Sequence, residues 1–260
     1  MLSELSTVLP ADWLSGEVLQ YAALGFVAQL VDGALGMGYG VITTTVLLHL
    51  GIPPVAASAS VHTAEVETTA TSGMSHWLHR NVDWRLLAVL ALSGVAGGVT
   101  GAYILTGIAA DTVRPFVASY LFLIGIVIFR RAFAKREPAP IPSRRVAPLG
   151  VVGGMLDAMG GGGWGAVVSS TLIAGGSSPR FVIGSVTLAE FFVSASVAAT
   201  FAASIGIEHG RIIVGLLVGG VVAAPLAGYM VRRAPTRALM ILVGLVVMVL
   251  SLYNLVRALS

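Results

Sequence analysis

The stretches VDGALGMGYG at residues 31–40 and LDAMGGGGWG at residues 156–165 are two copies of one motif, 125 residues apart. The same offset aligns SVHTAE at residues 60–65 with SVTLAE at residues 185–190 without a gap. An alignment that holds over some 35 residues is not explained by a biased composition. The chain is therefore predicted to be one structural unit used twice, and each copy carries an acidic residue beside a cluster of glycines.

The composition is that of a membrane protein. Hydrophobic residues make up 56% of the chain, charged residues make up 10%, and the mean hydropathy is +0.92, whereas soluble domains contain about 25% charged residues. We predict an all-α polytopic membrane protein with a single membrane domain over residues 1–260. The net charge of +3 then reflects basic loops on one membrane face and indicates no role with nucleic acid. The chain has no cysteine, which excludes thiolate metal sites, and no metal or cofactor is predicted.

Five helical segments are predicted in each copy. In repeat one, about 18–133, they cover residues 18–35, 41–51, 54–79, 84–106 and 113–133; in repeat two, about 146–258, they cover 146–160, 164–175, 179–206, 209–231 and 236–258. The segment after each glycine cluster would be only about 17 Å long, roughly half of a hydrocarbon core. The first two segments of each copy are therefore predicted to be a helix broken at the glycines, or a re-entrant pair.

Basic residues predict the topology. The linker at residues 130–145 holds six of the 15 Lys and Arg residues, so it is expected to face the cytoplasm. Five crossings in each copy place most of the remaining basic loops on the same side and the N-terminus outside, whereas four crossings separate the basic residues less well. An odd number of crossings turns the second copy upside down relative to the first. Inverted repeats with broken helices are the architecture of many secondary transporters.

Five of the 12 carboxylates fall inside apolar segments: Asp32, Glu65, Glu67, Asp157 and Glu190. A charged side chain at the bilayer centre costs about 3 kcal/mol or more, so these groups are expected to face a cavity, to find partners or to remain protonated. Glu65 and Glu190 each lie 11 residues after a proline that is predicted to open a helix, which places both near the middle of the membrane.

A polar stripe follows one face of the helix that contains Glu65. Its members, at alternating spacings of three and four, are His62, Glu65, Thr69, Ser72 and His76. One interpretation is a hydrogen-bonded seam between packed helices. The other is a hydrophilic path with protonatable groups, which we favour because serines alone would suffice for a seam. The residues predicted to couple transport to protons are Glu65, Glu190, His62 and His76.

The glycine clusters are suited to holding an anion. They allow the backbone to leave helical geometry and expose N–H groups, and the helix that follows directs its positive end at the break. The predicted substrate-binding residues are Gly36, Gly38, Tyr39, Gly40, Thr43, Thr44, Gly161, Gly162, Gly163, Trp164, Gly165, Ser169 and Ser170. The alternative is close helix packing through small residues. Two clusters in equivalent positions, each followed by a half-length helix, favour a binding site.

Asp32 and Asp157 come just before the glycines in the two copies. We expect each carboxylate to brace the broken backbone by accepting N–H bonds. Direct contact with a substrate is the alternative, but a charged carboxylate would repel an anion. The aromatic residues Tyr39 and Trp164 either form a wall of the site or take part in ordinary packing.

The chain resembles the TauE/SafE sulfite exporter family, also called the toluene sulfonate uptake permease family. The resemblance covers nearly the whole chain and rests on both glycine motifs, on LGIPPVAASASVH at residues 50–62 and on HWLHRNVDWRLL at residues 76–87. It implies transport of sulfite, an organosulfonate or a related oxoanion across the cytoplasmic (inner) membrane of a prokaryote. The substrate class is implied more firmly than the compound.

Three hypotheses follow. The first is a proton-coupled secondary transporter that holds a small sulfur-containing anion at the glycine breaks of both repeats. The second is a cation exchanger that uses the paired glutamates, although helix N-termini at the glycines argue against it. The third is an intramembrane scaffold or assembly factor that moves no substrate. An enzyme is not expected because no nucleophile motif is present, and a homo-oligomer remains possible.

Overall fold

The computed structural model describes residues 16–35, 37–133, 145–175, 177–206, 209–230 and 236–260. Within these ranges the secondary structure is helical and contains no strand. The helices are α1 (Gly16–Leu35), α2 (Tyr39–His49), α3 (Pro54–Leu78), α4 (Trp84–Thr106), α5 (Ala110–Arg131), α6 (Val146–Gly160), α7 (Ser170–Ala174), α8 (Pro179–Ile205), α9 (Gly210–Met230) and α10 (Thr236–Leu259). A π-helical turn, Gly165–Ser169, leads directly into α7. The predicted all-α class is confirmed, and every segment ends within three residues of its predicted bound.

Several helices have the length and hydropathy of membrane spans. In the described part of the chain these are Trp84–Thr106, Ala110–Arg131, Arg180–Ile205 and Arg237–Leu259. Shorter apolar helices cover Tyr39–His49, Val146–Gly160 and Gly210–Ala224. The protein is thus a helical, multi-pass membrane protein, as predicted. The short helices are those that adjoin the glycine clusters, together with the first part of α9.

Helix ends follow local chemistry. Pro54 opens α3 in its first turn, where the missing N–H of proline has no intrahelical partner to lose. Asp83 caps α4, because its carboxylate accepts the backbone N–H groups of Arg85 and Leu86 at 3.0 and 3.1 Å. These two signals mark the starts of α3 and α4, and the short connection of residues 79–83 joins the end of α3 to the start of α4.

The first helix of each half packs against a helix of the other half. Helix α1 packs against α9 of the second half, where Gly25 lies against the backbone of Leu216. Helix α6, the counterpart of α1, packs against α4, where Gly97 lies against the backbone of Val151. The two contacts are equivalent, because α6 is the counterpart of α1 and α4 is the counterpart of α9. Glycine at these crossings lets the two helix backbones approach closely.

Two further contacts join helices that are counterparts of each other. In the pair α3 and α8, Glu65 lies beside Ser194 and Gly73 lies against Leu188. Residue numbers rise along α3 as they fall along α8, so these helices run antiparallel. Helices α5 and α10 pack in the same manner, since Gly125 lies against Met248 and Phe129 lies against Gly244.

Candidate functional site

Each glycine cluster interrupts a helix with left-handed backbone. Gly38, between α1 and α2, has a φ of 126°. After α6, Gly161, Gly162 and Gly163 have φ values of 71°, 144° and 129°. Residues with a Cβ rarely adopt such angles, whereas glycine does so without steric cost. The sequence at each break is therefore what permits the chain to leave one helix and begin the next.

The two breaks touch each other although they belong to different halves. A Cβ placed on Gly40 would lie 2.7 Å from the Cα of Gly162, so the two backbones are in direct contact. The Thr44 hydroxyl donates a hydrogen bond to the carbonyl of Gly161, and the Tyr120 hydroxyl donates one to the carbonyl of Gly162 at 3.1 Å. Side chains of α2 and α5 thus bind the exposed carbonyls of the second break.

Both aspartates contact the helix start that follows their own break. Asp157 Oδ1 accepts the N–H of Trp164 at 2.8 Å, and Asp32 Oδ1 accepts the N–H of Tyr39 at 3.4 Å. The donor lies seven residues beyond the acid in both copies. The contact of Asp157 is fully buried, while Asp32 is half-buried. These are the contacts that a brace would make, and whether they stabilise the breaks remains a prediction.

A histidine from one half pairs with an aspartate from the other. His62 Nε2 lies 3.1 Å from Asp157 Oδ2, and both side chains are completely buried. On the other side of the ring, His62 Nδ1 lies 2.8 Å from the carbonyl of Ser58. A carbonyl only accepts, so Nδ1 carries a proton. With one further proton between them, Nε2 and Oδ2 share a hydrogen bond; without it, both atoms would present lone pairs to each other.

The sequence did not reveal this pair. The polar stripe on α3 drew attention to His62, and the glycine motif drew attention to Asp157, but the two residues lie 95 positions apart. The equivalent of His62 in the second copy is Thr187, so the repeat offered no second example from which to infer the contact. The pair is therefore a feature of one half-to-half junction only.

A small cavity lies beside the touching breaks. Its lining combines both halves: Asp32, Gly38, Tyr39, Gly40, Glu65, Thr68 and Thr69 from the first, and Gly163, Gly165, Ala166 and Glu190 from the second. Three carboxylates face this space, and no Lys or Arg is among its lining residues. Glu65 accepts a hydrogen bond from the Ser194 hydroxyl at 3.4 Å, while Glu190 is half-buried.

Backbone amides supply positive charge at the same place. The first N–H groups of a helix lack intrahelical acceptors, and α2 begins at Tyr39 on the cavity wall. In the second copy the π-helical turn begins at Gly165, also on the wall. A π-type turn inside a helix is rare and is frequent at functional sites. The arrangement can hold a small polar ligand between amide groups and carboxyl groups.

Several predicted site residues serve local packing in the structure. The Thr43 hydroxyl donates to the carbonyl of Tyr39 at 2.6 Å. Polar tips of the aromatic residues are also occupied, since the Tyr39 hydroxyl donates to the Leu216 carbonyl at 3.2 Å and the Trp164 indole donates to the Val186 carbonyl at 3.1 Å. Tyr39 lines the cavity, whereas Trp164 is completely buried away from it.

Others lie apart from the cavity or outside the described residues. His76 lies at the far end of α3, where it contacts the side chain of Asn81 at 3.5 Å. Ser169 and Ser170 follow the second break but do not line the cavity. Gly36 is outside the described residues. Thr68, which sequence reasoning passed over, does line the cavity, and its place one helical turn from Glu65 is the signal that would have indicated it.

The chain is a helical multi-pass membrane protein in which two interrupted helices meet. Comparison with known sequences assigns it to one family. The profile of the family described as sulfite exporter TauE/SafE matches residues 21–254. The chain belongs to this family, which is a family of membrane transporters.

Named relatives agree with this placement. The chain is 39% identical over 237 residues to the probable membrane transporter protein YtnM of Bacillus subtilis, covering 88% of the chain and 79% of the relative. It is 25% identical over 210 residues to the probable membrane transporter protein YdhB of the same organism, covering 78% of the chain and 75% of that relative. A 60-residue stretch, 23% of the chain, is 40% identical to 12% of the sulfite exporter TauE/SafE family protein 3 of Arabidopsis thaliana. No solved structure matches the chain.

Proposed function

We propose that the protein is a secondary transporter of a small sulfur-containing anion and that the anion binds where the two glycine breaks meet. The observation that carries this proposal is the contact between Gly40 and Gly162, which brings two helix starts from different halves to one cavity. A site shared between halves can change its accessibility when the halves move relative to each other.

Opposed directions of equivalent helices support an inverted repeat. The pairs α3 with α8 and α5 with α10 each consist of counterparts, and each pair runs antiparallel. A twofold axis parallel to the helices would make counterparts parallel, so an axis lying across the helices, in the membrane plane, accounts for these contacts. That is the symmetry of inverted-repeat transporters.

Basic residues support the predicted orientation. Arg180, expected inside, donates to the Asn81 side chain at 2.6 Å and to the His79 carbonyl at 3.2 Å, so two loops predicted to be cytoplasmic meet. Arg114 and Arg257, expected outside, line one common pocket at the other end. We infer a cytoplasmic linker, an external N-terminus and a location in the cytoplasmic membrane of a prokaryote; residues 134–144 of the linker lie outside the described ranges.

The acidic lining of the cavity suits proton coupling. A protonated carboxyl group does not repel an anion, and its O–H can donate a hydrogen bond to an oxoanion. Glu65 of the first half and Glu190 of the second half both line the cavity, and residues of the two glycine breaks line it as well. We propose that protonation of these glutamates accompanies anion binding. The family description, sulfite exporter, supports a sulfur oxoanion as cargo.

Flux measurements test the proposal. Purified protein in proteoliposomes is expected to move sulfite or an organosulfonate, and a panel of sulfite, sulfate, thiosulfate, sulfoacetate and taurine would define the class. Protein-free vesicles give the passive leak of each compound. If none of these anions moves or displaces a bound ligand, while a metal ion does, the anion site is wrong.

The three cavity carboxylates favour one rival, a cation exchanger. Carboxylate oxygens are the ligands of Na⁺ and Ca²⁺. Among the described residues, however, no group of three or more His, Asp or Glu side chains is arranged to hold a metal ion. The same vesicles loaded with a calcium or sodium indicator distinguish the two functions. A scaffold would show no flux of either kind, and the substitutions Glu65→Gln and Gly163→Leu would change its binding to a partner instead.

Glu65→Gln is expected to uncouple the transporter. The amide keeps the size and hydrogen-bonding capacity of the acid but cannot take up a proton. Accumulation of the anion driven by an imposed proton gradient should fall by about 5- to 150-fold, which is the effect of losing a typical coupling free energy between two sites. Exchange of anion against anion should continue. Both rates are measured with labelled substrate in proteoliposomes.

Glu67→Gln is the matched control. Glu67 lies on the same helix but accepts only from Thr71 at 3.4 Å and does not line the cavity. It should therefore leave both rates unchanged. Equal losses in the two variants, or a Glu65→Gln protein that still accumulates anion on a proton gradient, would contradict the role of Glu65.

A further inference from the structure

A second cavity lies between α3, α8 and α9, apart from the cavity at the breaks. Its walls are mostly alanine and isoleucine side chains, and its polar lining residues are Ser60, Thr63 and His209. Phe201 of α8 also lines it. By the orientation inferred above, this cavity is in the external half of the molecule, because it is formed by the beginning of α3, the end of α8 and the beginning of α9.

Ser60 is a polar group beside this cavity that lacks a hydrogen-bond partner among the described residues. Its side chain is completely buried. Its counterpart in the second half, Ser185, is satisfied, because it accepts the N–H of Asp83 at 2.8 Å and donates to the Asp83 carbonyl at 3.3 Å. A buried hydroxyl that borders a cavity and lacks a protein partner is normally hydrogen-bonded to water.

Phe201 separates this cavity from the buried His62–Asp157 pair. Its ring is completely buried, and its centroid lies 6.5 Å from that of the His62 imidazole. One side of Phe201 thus borders the cavity and the other faces His62. His62 and Asp157 have no exposed surface. The Phe201 side chain therefore lies between this cavity and the pair.

The pair is able to hold one exchangeable proton. Its Nδ1–H is committed to the Ser58 carbonyl, and the bridge between Nε2 and Oδ2 contains a single proton whichever atom carries it. Other titratable groups lie near the pair on neighbouring helices: Glu65 of α3, Tyr120 of α5 and Glu190 of α8 interact electrostatically with His62 or Asp157. Asp32 of α1 lies with Glu65 and Glu190 around the cavity at the breaks, and His209 of α9 lies across the second cavity.

We propose that the cavity between α3, α8 and α9 is a water-filled route by which external protons reach the His62–Asp157 pair, with Phe201 as its barrier. A hydronium ion in the cavity donates one proton to the unprotonated pair and becomes water; release is the reverse step. The inference rests on the proposed proton coupling, and it assigns an entry point lined by α3 of the first half and by α8 and α9 of the second. The tests below need no transported anion, so they remain informative if the substrate is misidentified.

Thiol labelling tests the route. The chain contains no cysteine, so Ser60→Cys places a single thiol on the cavity wall without background. It should react about tenfold or more faster with the charged reagent sulfonatoethyl methanethiosulfonate than Ser185→Cys, the matched control that the Asp83 backbone covers. Labelling of Ser60→Cys by lipid-soluble phenylmaleimide alone would mean that lipid fills the cavity, and the proposal would be wrong.

Proton leak tests the barrier. In vesicles loaded with a pH-sensitive dye, Phe201→Ala should raise passive proton flux several-fold, whereas Phe201→Leu, which keeps most of the bulk, should not. The added leak should disappear in the double variant Phe201→Ala with His62→Gln, because the pair then loses its proton carrier. A folded Phe201→Ala protein without extra leak, or a leak that persists in the double variant, overturns the role of Phe201. If Phe201→Ala does not fold, the labelling comparison decides the proposal.

Discussion

Replacing Gly162 with alanine should nearly abolish transport, because the new methyl group would enter the junction of the two breaks. An ideal Cβ at this position lies 2.3 Å from the backbone carbon of Gly40 and 2.7 Å from the nitrogen of Val41. Backbone atoms cannot rotate away as a side-chain end can, so the helix starts must separate. Misplacement of binding groups by about 1 Å can cost about 100-fold in rate, and we expect a loss of that order in proteoliposome flux.

A control separates this steric effect from backbone strain. Gly51 also has a positive φ, 91°, but a Cβ there would meet nothing within 4 Å. Gly51→Ala therefore bears the conformational strain of about 1–3 kcal/mol without a clash. It should lower thermal stability and leave flux near that of the wild type. Equal flux in the Gly162 and Gly51 variants would show that the junction plays no part in transport.

Asp157→Ala should be the most destabilising single change at the site. It removes the acceptor of the Trp164 N–H and leaves the completely buried His62 without its partner. Breaking a buried pair by removing one member costs about 3–5 kcal/mol. The apparent melting temperature in detergent should fall by on the order of 10 °C, and the yield of folded protein should fall with it.

Asp157→Asn distinguishes the structural part of this effect from the chemical part. The amide oxygen can still accept from Trp164, and the amide nitrogen can donate to the Nε2 atom of a neutral His62. Stability should therefore be largely restored while the exchangeable proton is lost. Asp32→Ala is the matched comparison in the other copy and should cost less, because Asp32 is half-buried and its bond to Tyr39 is longer, at 3.4 Å. A greater loss from Asp32→Ala would reverse this ranking of the two acids.

Local signals made the helices predictable. Apolar runs bounded by glycine and proline gave segment limits that the structure reproduces closely, and the repeat itself doubled each signal. The interruption of helices at the glycines was also readable, since only glycine adopts the φ values found at Gly38 and Gly161–Gly163 at no steric cost. These features depend on residues close together in the chain.

Contacts between the halves were not readable in the same way. The partner of His62 is set by how α3 crosses α6, and that crossing depends on backbone packing at glycines far away in sequence. The stripe on α3 predicted a common direction for His62 and His76, yet one lies beside Asp157 and the other beside Asn81. A helix of 25 residues is about 37 Å long, so residues on one face need not share one environment.

The most extensive helix contacts in the described structure all join one half of the chain to the other: α1 with α9, α6 with α4, α5 with α10, α4 with α8 and α3 with α8. Neither half thus encloses a core of its own, and a fragment that ends in the linker would expose the surfaces its missing complement normally covers. The two halves, produced as separate polypeptides in the same membrane, should still find each other and assemble. We therefore expect the two halves to fold together and not as independent units.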